Sequence, residues 1–331
     1  MMADDIGVAE SIRYLDIYLA PLVPFLAQDD VTDIFINRPG EVWIERLGGV
    51  PHRVAVPELG ETALWRLARQ VANLTHQGIS REHPLLAATL PDGSRVQIVA
   101  PPATRCSMAI AIRKQVVENL RIDDYASRGA LNHTSTEPVS LGGRPANVVP
   151  TGNAELLDYL RQAVLERRNI VISGGTSTGK TTFLNALVKE IPVDERLILI
   201  EDTPEVKLVH PNSVGLIAVK GELGEARITH DQLLQASLRM RPDRIILGEL
   251  RGNEAYTFLR AANTGHPGSM TTIHADSPEG AIDQLALIIL QSGVHLSKSD
   301  IVDYVRSVAD LFVQLERVNG KRRIARVATV R

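Results

Sequence analysis

The chain has 331 residues, 44% of them hydrophobic and 23% charged, with a formal net charge of −3 at pH 7. That length suits about two domains with packed cores, and the mild acidity excludes a global basic field of the kind that coats nucleic acid. Its single cysteine, Cys106, excludes an internal disulfide and a cysteine-built zinc site, as suits a reducing compartment; this residue is expected in the core as a small apolar side chain.

No apolar run approaches the ~18–20 residues that a membrane span needs. Asp4 and Asp5 stand where a secretory signal would carry lysines, so a cytoplasmic protein is expected. In chain order, Ile12, Leu15, Leu19 and Leu22 share one helical face interrupted by Pro21 and Pro24, a face expected to pack on its own domain. Residues 33–37 and 41–45 alternate like half-buried strands around the turn Arg38-Pro39-Gly40, and residues 53–56 extend them. Helical periodicity runs through Leu64, Leu67, Ala68, Val71 and Leu74; after the turn Pro91-Asp92-Gly93, residues 95–99 and 108–112 return to strand character. The order predicts a smaller α+β domain over residues 1–120.

Residues 121–150 lose periodicity and gather Ser, Thr, Gly and Pro, and are expected to be an interdomain linker. From residue 151 to 331 the pattern alternates. A helix carries Leu156, Leu157, Leu160, Val164 and Leu165; residues 169–173, 197–200, 245–247 and 270–273 are short apolar strands; residues 231–239 and 253–262 read as helices; and residues 311–315 and 323–327 form a closing hairpin around Asn319-Gly320. Such alternation predicts an α/β domain with a mainly parallel sheet and its ligand at the strand carboxyl ends.

Between the strand at 169–173 and the next helix lies Gly174-Gly175-Thr176-Ser177-Thr178-Gly179-Lys180-Thr181, a complete G-x-x-x-x-G-K-T phosphate loop followed by Thr182. Its glycines let successive N–H groups point at one phosphate at a helix N-terminus. Lys180 is expected to reach the β- and γ-phosphates, and the Thr181 hydroxyl to ligate Mg²⁺. Acids end two further strands: Glu201 is the expected general base, with Glu205 as the substitute, and Glu249 after Leu247-Gly248 is the expected Mg²⁺ ligand or water-positioning group. A turn with His266, followed by a strand and His274, is expected to report the γ-phosphate, with His266 as the catalytic member; structural histidines and a metal pair are the alternatives. Arg239, Arg241 and Arg251 lie near the second acid, and Arg95, Arg105 and Arg113 in the first domain are candidates for phosphate contact.

With these elements in order, the chain resembles the bacterial secretion or traffic ATPases, most closely the hexameric ATPase of type IV secretion and conjugation machineries. The stretches that carry the likeness are the phosphate loop, the "Asp box" from Arg196 to Asp202, the Walker B stretch from Leu247 to Arg251, the "His box" from Gly265 to His274, and Phe35–Trp43 near the N-terminus. The resemblance implies a RecA-like C-terminal ATPase domain and a homohexamer that binds ATP and Mg²⁺. It places ATP between the two domains, with arginines of the first domain (Arg95, Arg105 and Arg113) facing the phosphates. It further implies inner-membrane secretion-system components and a coupling ATPase as partners, with peripheral contact to the inner membrane from the cytoplasmic side. The expected function is Mg²⁺-dependent ATP hydrolysis that powers type IV secretion, conjugative transfer or pilus assembly. A type II secretion or type IV pilus traffic ATPase, a RecA-like nucleic-acid motor and a nucleotide-gated docking protein remain alternatives. Aromatics at 4% give little material for a base-stacking platform, so direct nucleic-acid binding is not expected.

Overall fold

Period-two burial builds the first part of the chain and near-continuous burial the second, and each gives its own kind of sheet. The computed structural model describes residues 14–114, 120–136, 149–219, 228–318 and 320–330, and packing divides them into two units, the first of residues 14–114 with Val219 and the second of the remaining described residues from 120 to 330.

In the first unit, β1 (Val31–Ile36), β2 (Glu41–Arg46), β3 (His52–Ala55), β4 (Leu85–Thr89), β5 (Arg95–Val99) and β6 (Ala109–Arg113) form an antiparallel sheet in the order β3-β2-β1-β6-β5-β4. Residues 14–19 are helical and lead to a short helix α1 (Val23–Leu26); Leu15, Leu19 and Leu22 are buried, as the shared helical face required, while Ile12 lies outside the described residues. Helix α2 (Glu61–Leu74) buries Leu64, Leu67, Ala68 and Val71 in the core that also holds Ile34, Ile98 and Ile110. Cys106 departs from expectation: it is exposed. The connection between β5 and β6 contains it, where its N–H donates to Thr104 Oγ1 at 3.2 Å. A small apolar residue in a turn that opens with Pro101-Pro102 follows the turn to the surface.

The second unit contains α3 (Ile122–Ser127), α4 (Asn153–Leu165), β7 (Ile170–Gly174), α5 (Lys180–Val188), β8 (Leu197–Glu201), β9 (Ser213–Ile217), α6 (His230–Ser237), β10 (Arg244–Leu247), α7 (Glu254–Asn263), β11 (Met270–Ile273), α8 (Pro278–Gln291), α9 (Lys298–Val308), β12 (Leu311–Val318) and β13 (Lys321–Thr329). Its strands run β13-β12-β7-β11-β10-β8-β9, all neighbours parallel except the β12–β13 hairpin. Strands β7, β8, β10 and β11 are buried along their whole length, because one apolar cluster with α3, α4 and α5 and another with α7, α8 and α9 fill the space on the two sides of the sheet. Parallel strands bring their carboxyl ends to one edge, so Gly174, Glu201, Glu249 and His274 emerge together.

Residues 120–136 are not a free connection, contrary to the linker expected over 121–150. Ile122, Tyr125, Ala130 and Leu131 are buried in the second unit's core, and the Tyr125 ring meets Phe183 edge-on at 5.0 Å. Backbone bonds tie the segment to β13: Ser135 N–H donates to Ala325 O, and Val327 N–H to Ser135 O. Low periodicity reflected short pieces docked on a sheet edge. The rest of the expected linker, residues 137–148, lies outside the described residues, as does Asn319 of the hairpin turn.

At the amino ends of the parallel strands, Arg244 is fully buried and donates from Nε and Nη2 to the two oxygens of Glu195 at 2.7 and 2.8 Å, and from Nη1 to Val164 O at 2.7 Å. Gly268 (φ 81°) makes room for it, since a Cβ there would stand 2.7 Å from Arg244 Nη1. Hydrogen bonding from Arg244 holds the Glu195 carboxyl below the usual glutamate range despite its burial. Its contribution to stability is therefore complete above the ordinary glutamate pKa and is lost as pH falls through the lowered value. Glu195→Ala, which leaves a buried cation unpaired, should cost roughly 3–5 kcal/mol. Urea unfolding followed by circular dichroism checks this, because both tryptophans, Trp43 and Trp65, report only on the first unit; in Glu195→Gln the acid-dependent part of the loss should vanish.

Candidate nucleotide-binding site

The phosphate loop is glycine-rich for reasons of space as well as conformation. A Cβ at Gly174 would stand 2.5 Å from Thr178 Oγ1 and 2.8 Å from Leu315 O, so only glycine lets β7 end against both the loop and β12. Ser177 (φ 61°) and Gly179 (φ 94°) turn left-handed, and Thr178 Oγ1 donates to Gly175 O at 2.9 Å to close the curl. Gly175, Thr176 and Ser177 are exposed, while Thr178, Lys180 and Thr182 are buried. Gly179 is the N-cap of α5 and offers no side-chain cap, which leaves the first N–H groups of the helix free for an anion.

Lys180 is only 8% exposed. Its ammonium donates to Gly174 O at 2.9 Å and Gly175 O at 3.0 Å and faces His274 Nδ1 at 3.3 Å, which accounts for its three protons. Burial, opposed by Glu249 and assisted by Arg251, lowers its pKa to about 8. Burial together with the positive charge of Lys180 pushes the His274 imidazole below its usual value, against the opposite pull of Glu249. A neutral ring fits its neighbours: Nδ1 accepts from Lys180, and Nε2 lies 2.7 Å from Glu249 Oε1, a buried oxygen with no well-aligned donor. Glu249 Oε2 accepts from Arg251 Nε at 2.7 Å, Arg251 Nη1 donates to Asp202 Oδ2 at 3.0 Å, and Asp202 Oδ1 lies 3.2 Å from His230 Nε2. One polar chain thus runs from the loop lysine across the ends of β11, β10 and β8 to the start of α6.

Glu201 is buried, and its Oε1 accepts the N–H groups of Glu205 and Val206 at 3.0 and 2.9 Å. It therefore braces the turn after β8 with one oxygen. Gly248 allows this carboxylate to lie close, since a Cβ there would come within 3.2 Å of Glu201 Cγ.

His266 and His274, read together as phosphate reporters, stand at opposite ends of β11. His266 precedes β11, its Nδ1 lies 3.2 Å from Ala261 O, and its carbonyl accepts Ser269 Oγ at 2.7 Å. The full length of β11, four residues at about 3.3 Å each, separates it from the strand end where the lysine sits. The histidine that meets the loop is His274, first polar residue after a buried strand, found by the same rule that selects Glu201 and Glu249. No separate role was expected of Asp202, His230 or Gln314. Gln314 is the one polar residue in the apolar run 311–315. It accepts Ser173 Oγ at 2.5 Å and donates to Ala275 O at 3.2 Å, tying β12 to the ends of β7 and β11.

The three arginines of the first unit do not form one group. Arg95 and Arg113 are cross-strand partners on β5 and β6, and Arg113 donates to Asp33 on β1 at 2.8 Å. Arg105 is exposed in the connection at the other end of those strands.

The family model described as "Type II/IV secretion system protein" matches residues 18–309. The chain is 36% identical to the type IV secretion system protein VirB11 of Bartonella henselae, over 96% of this chain and 93% of that one, and 41% identical to VirB11 of Brucella suis, over 84% and 78%. It is also similar to the crystal structure of the Brucella suis VirB11 ATPase in complex with sulphate, with 37% identity, a TM-score of 0.50, and coverage of 97% and 96%.

A lysine with pKa of about 8 makes phosphate binding sensitive to mild alkali. Nucleotide affinity should stay flat from pH 7 to 8 and fall by up to ~tenfold per unit above that, until the pKa of the bound state is reached. In Lys180→Arg, weaker binding without this slope is expected, because guanidinium keeps its proton; calorimetric titration between pH 7 and 9.5 is the measurement.

Proposed function

The chain belongs to the type II/IV secretion system protein family and is an ATPase, and from that premise we propose that it is the Mg²⁺-dependent motor of a type IV secretion system, a homohexamer working at the cytoplasmic face of the inner membrane with that system's membrane components. The observation that carries the reading is the placement of Lys180, His274, Glu249 and Glu201 around one phosphate loop. The donor set suits Mg²⁺: Thr181 is half-buried in the first turn of α5, and among the described residues no cluster of three histidine, cysteine or acidic side chains would hold a metal without phosphate and water. Glu249 Oε2 is engaged by Arg251, while Oε1 is buried with no hydrogen-bond donor, so Glu249 would hold the metal through Oε1, directly or through water. When bound, the metal would neutralise charge across the β- and γ-phosphates.

The residues then divide the work. Gly174–Gly179 wrap the phosphates with N–H groups, and Lys180 exchanges its carbonyl and imidazole partners for phosphate oxygens. Glu201, fixed in orientation by the N–H groups on Oε1, aims its other oxygen at the attacking water and takes its proton. His274 regains Lys180 when the terminal phosphate leaves, and the change passes through Glu249, Arg251 and Asp202 to α6.

Glu201→Gln keeps an acceptor for the two N–H groups and should retain ATP binding while slowing hydrolysis by ~10²–10⁴-fold; equal loss of binding and turnover would reassign Glu201 to bracing alone. His274→Ala should lower kcat by about 10–100-fold, the worth of one charged hydrogen bond, whereas His266→Ala should leave kcat near wild type. Steady-state phosphate release beside equilibrium ATP binding separates these outcomes.

A further inference from the structure

The closing hairpin lies against the phosphate loop. Leu315 on β12 is in register with Gly174, and Arg322 on β13 lays its stem over the last glycine of the loop: a Cβ at Gly179 would stand 3.0 Å from Arg322 Cδ and 3.5 Å from Nε. Its neighbours on the hairpin are matched, Arg323 with Glu316 and Arg326 with Glu279. Arg322 is not. Among the described residues its guanidinium has no hydrogen bond or ion pair, and the residue directly opposite on β12 is Arg317. Like charges directly opposite on a hairpin are destabilising, so the hairpin holds an uncompensated cation beside an anion cradle.

Sheet order says which part of a nucleotide that cation meets. Strand β7 stands between β12 and β11. Lys180, His274, Glu249 and Glu201 gather toward β11, β10 and β8, so the terminal phosphate lies on that side and the remainder of the nucleotide extends toward the hairpin. We propose that Arg322 binds the half of the nucleotide common to ATP and ADP, its guanidinium meeting the α-phosphate and nucleoside beside Gly179. The inference rests on the loop being the nucleotide site. Because the contact is the same before and after hydrolysis, Arg322 sets affinity for substrate and product alike and leaves the chemical step untouched.

The test uses the full chain with Mg²⁺ and measures Kd for ATP and ADP, and kcat at saturating ATP, for Arg322→Ala and for Arg322→Met, which keeps the stem and removes the charge. Both variants should bind ATP and ADP about 10–100-fold more weakly, as loss of one charged hydrogen bond implies, with kcat within about twofold of wild type. Unchanged binding, a loss confined to ATP, a fall in kcat, or a loss in Arg322→Ala that Arg322→Met restores would each overturn the proposal. Failure of the wild-type chain to bind either nucleotide would overturn the site reading itself, a result distinct from failure of the variants to differ.

Discussion

An ammonium group held out of water is the constraint around which the second unit is arranged. Lys180 carries little solvent, so each of its protons needs an acceptor, and the loop supplies two carbonyls while the end of β11 supplies an imidazole nitrogen. These partners are adequate without being ideal, as the lowered pKa records. A phosphate oxygen offers the same ammonium a full negative charge, and the site is therefore built to prefer a ligand to its own backbone. Stability is given up for this readiness, as is usual where buried charge serves function.

The two ends of the parallel strands show opposite treatments of buried charge. At the amino ends, Arg244 meets Glu195 in a two-pronged pair with a carbonyl taking a further proton. At the carboxyl ends, charges pass from residue to residue through Lys180, His274, Glu249, Arg251 and Asp202, and partners can be exchanged at each link. Fixing one end lets small changes at the other be transmitted instead of dissipated. Gln314 assists by fastening β12 to the ends of two neighbouring strands.

Much of this was legible in residue order. Buried parallel strands announced themselves as short β-branched runs, and the rule that the first polar residue after such a run faces the ligand picked Glu201 and Glu249. Applied evenly it also picks His274, the second of the two histidines expected to report the γ-phosphate; the Gly-Pro turn singled out His266 as the catalytic member, although Gly268 there gives space to Arg244. Helices α8 and α9 were passed over even though Ser277 before Pro278 and Ser297 ahead of Asp300 are good N-terminal signals, because sheet-and-loop reasoning gave residues 275–310 no role. What sequence could not carry was contact between distant segments: residues 120–136 docking on β13, Gln314 reaching Ser173, and Arg322 lying over Gly179. None of these has a spacing, and each depends on where strands finally sit.

Cys106 stands alone as the chain's thiol and is exposed in the first unit, while the phosphate loop belongs to the second. A maleimide dye or spin probe would thus attach to one known place in the native protein, with no competing sulfur to remove and nothing in the ATPase unit altered. The orientation of the smaller unit in solution then becomes something to watch directly, by polarised emission or by magnetic resonance.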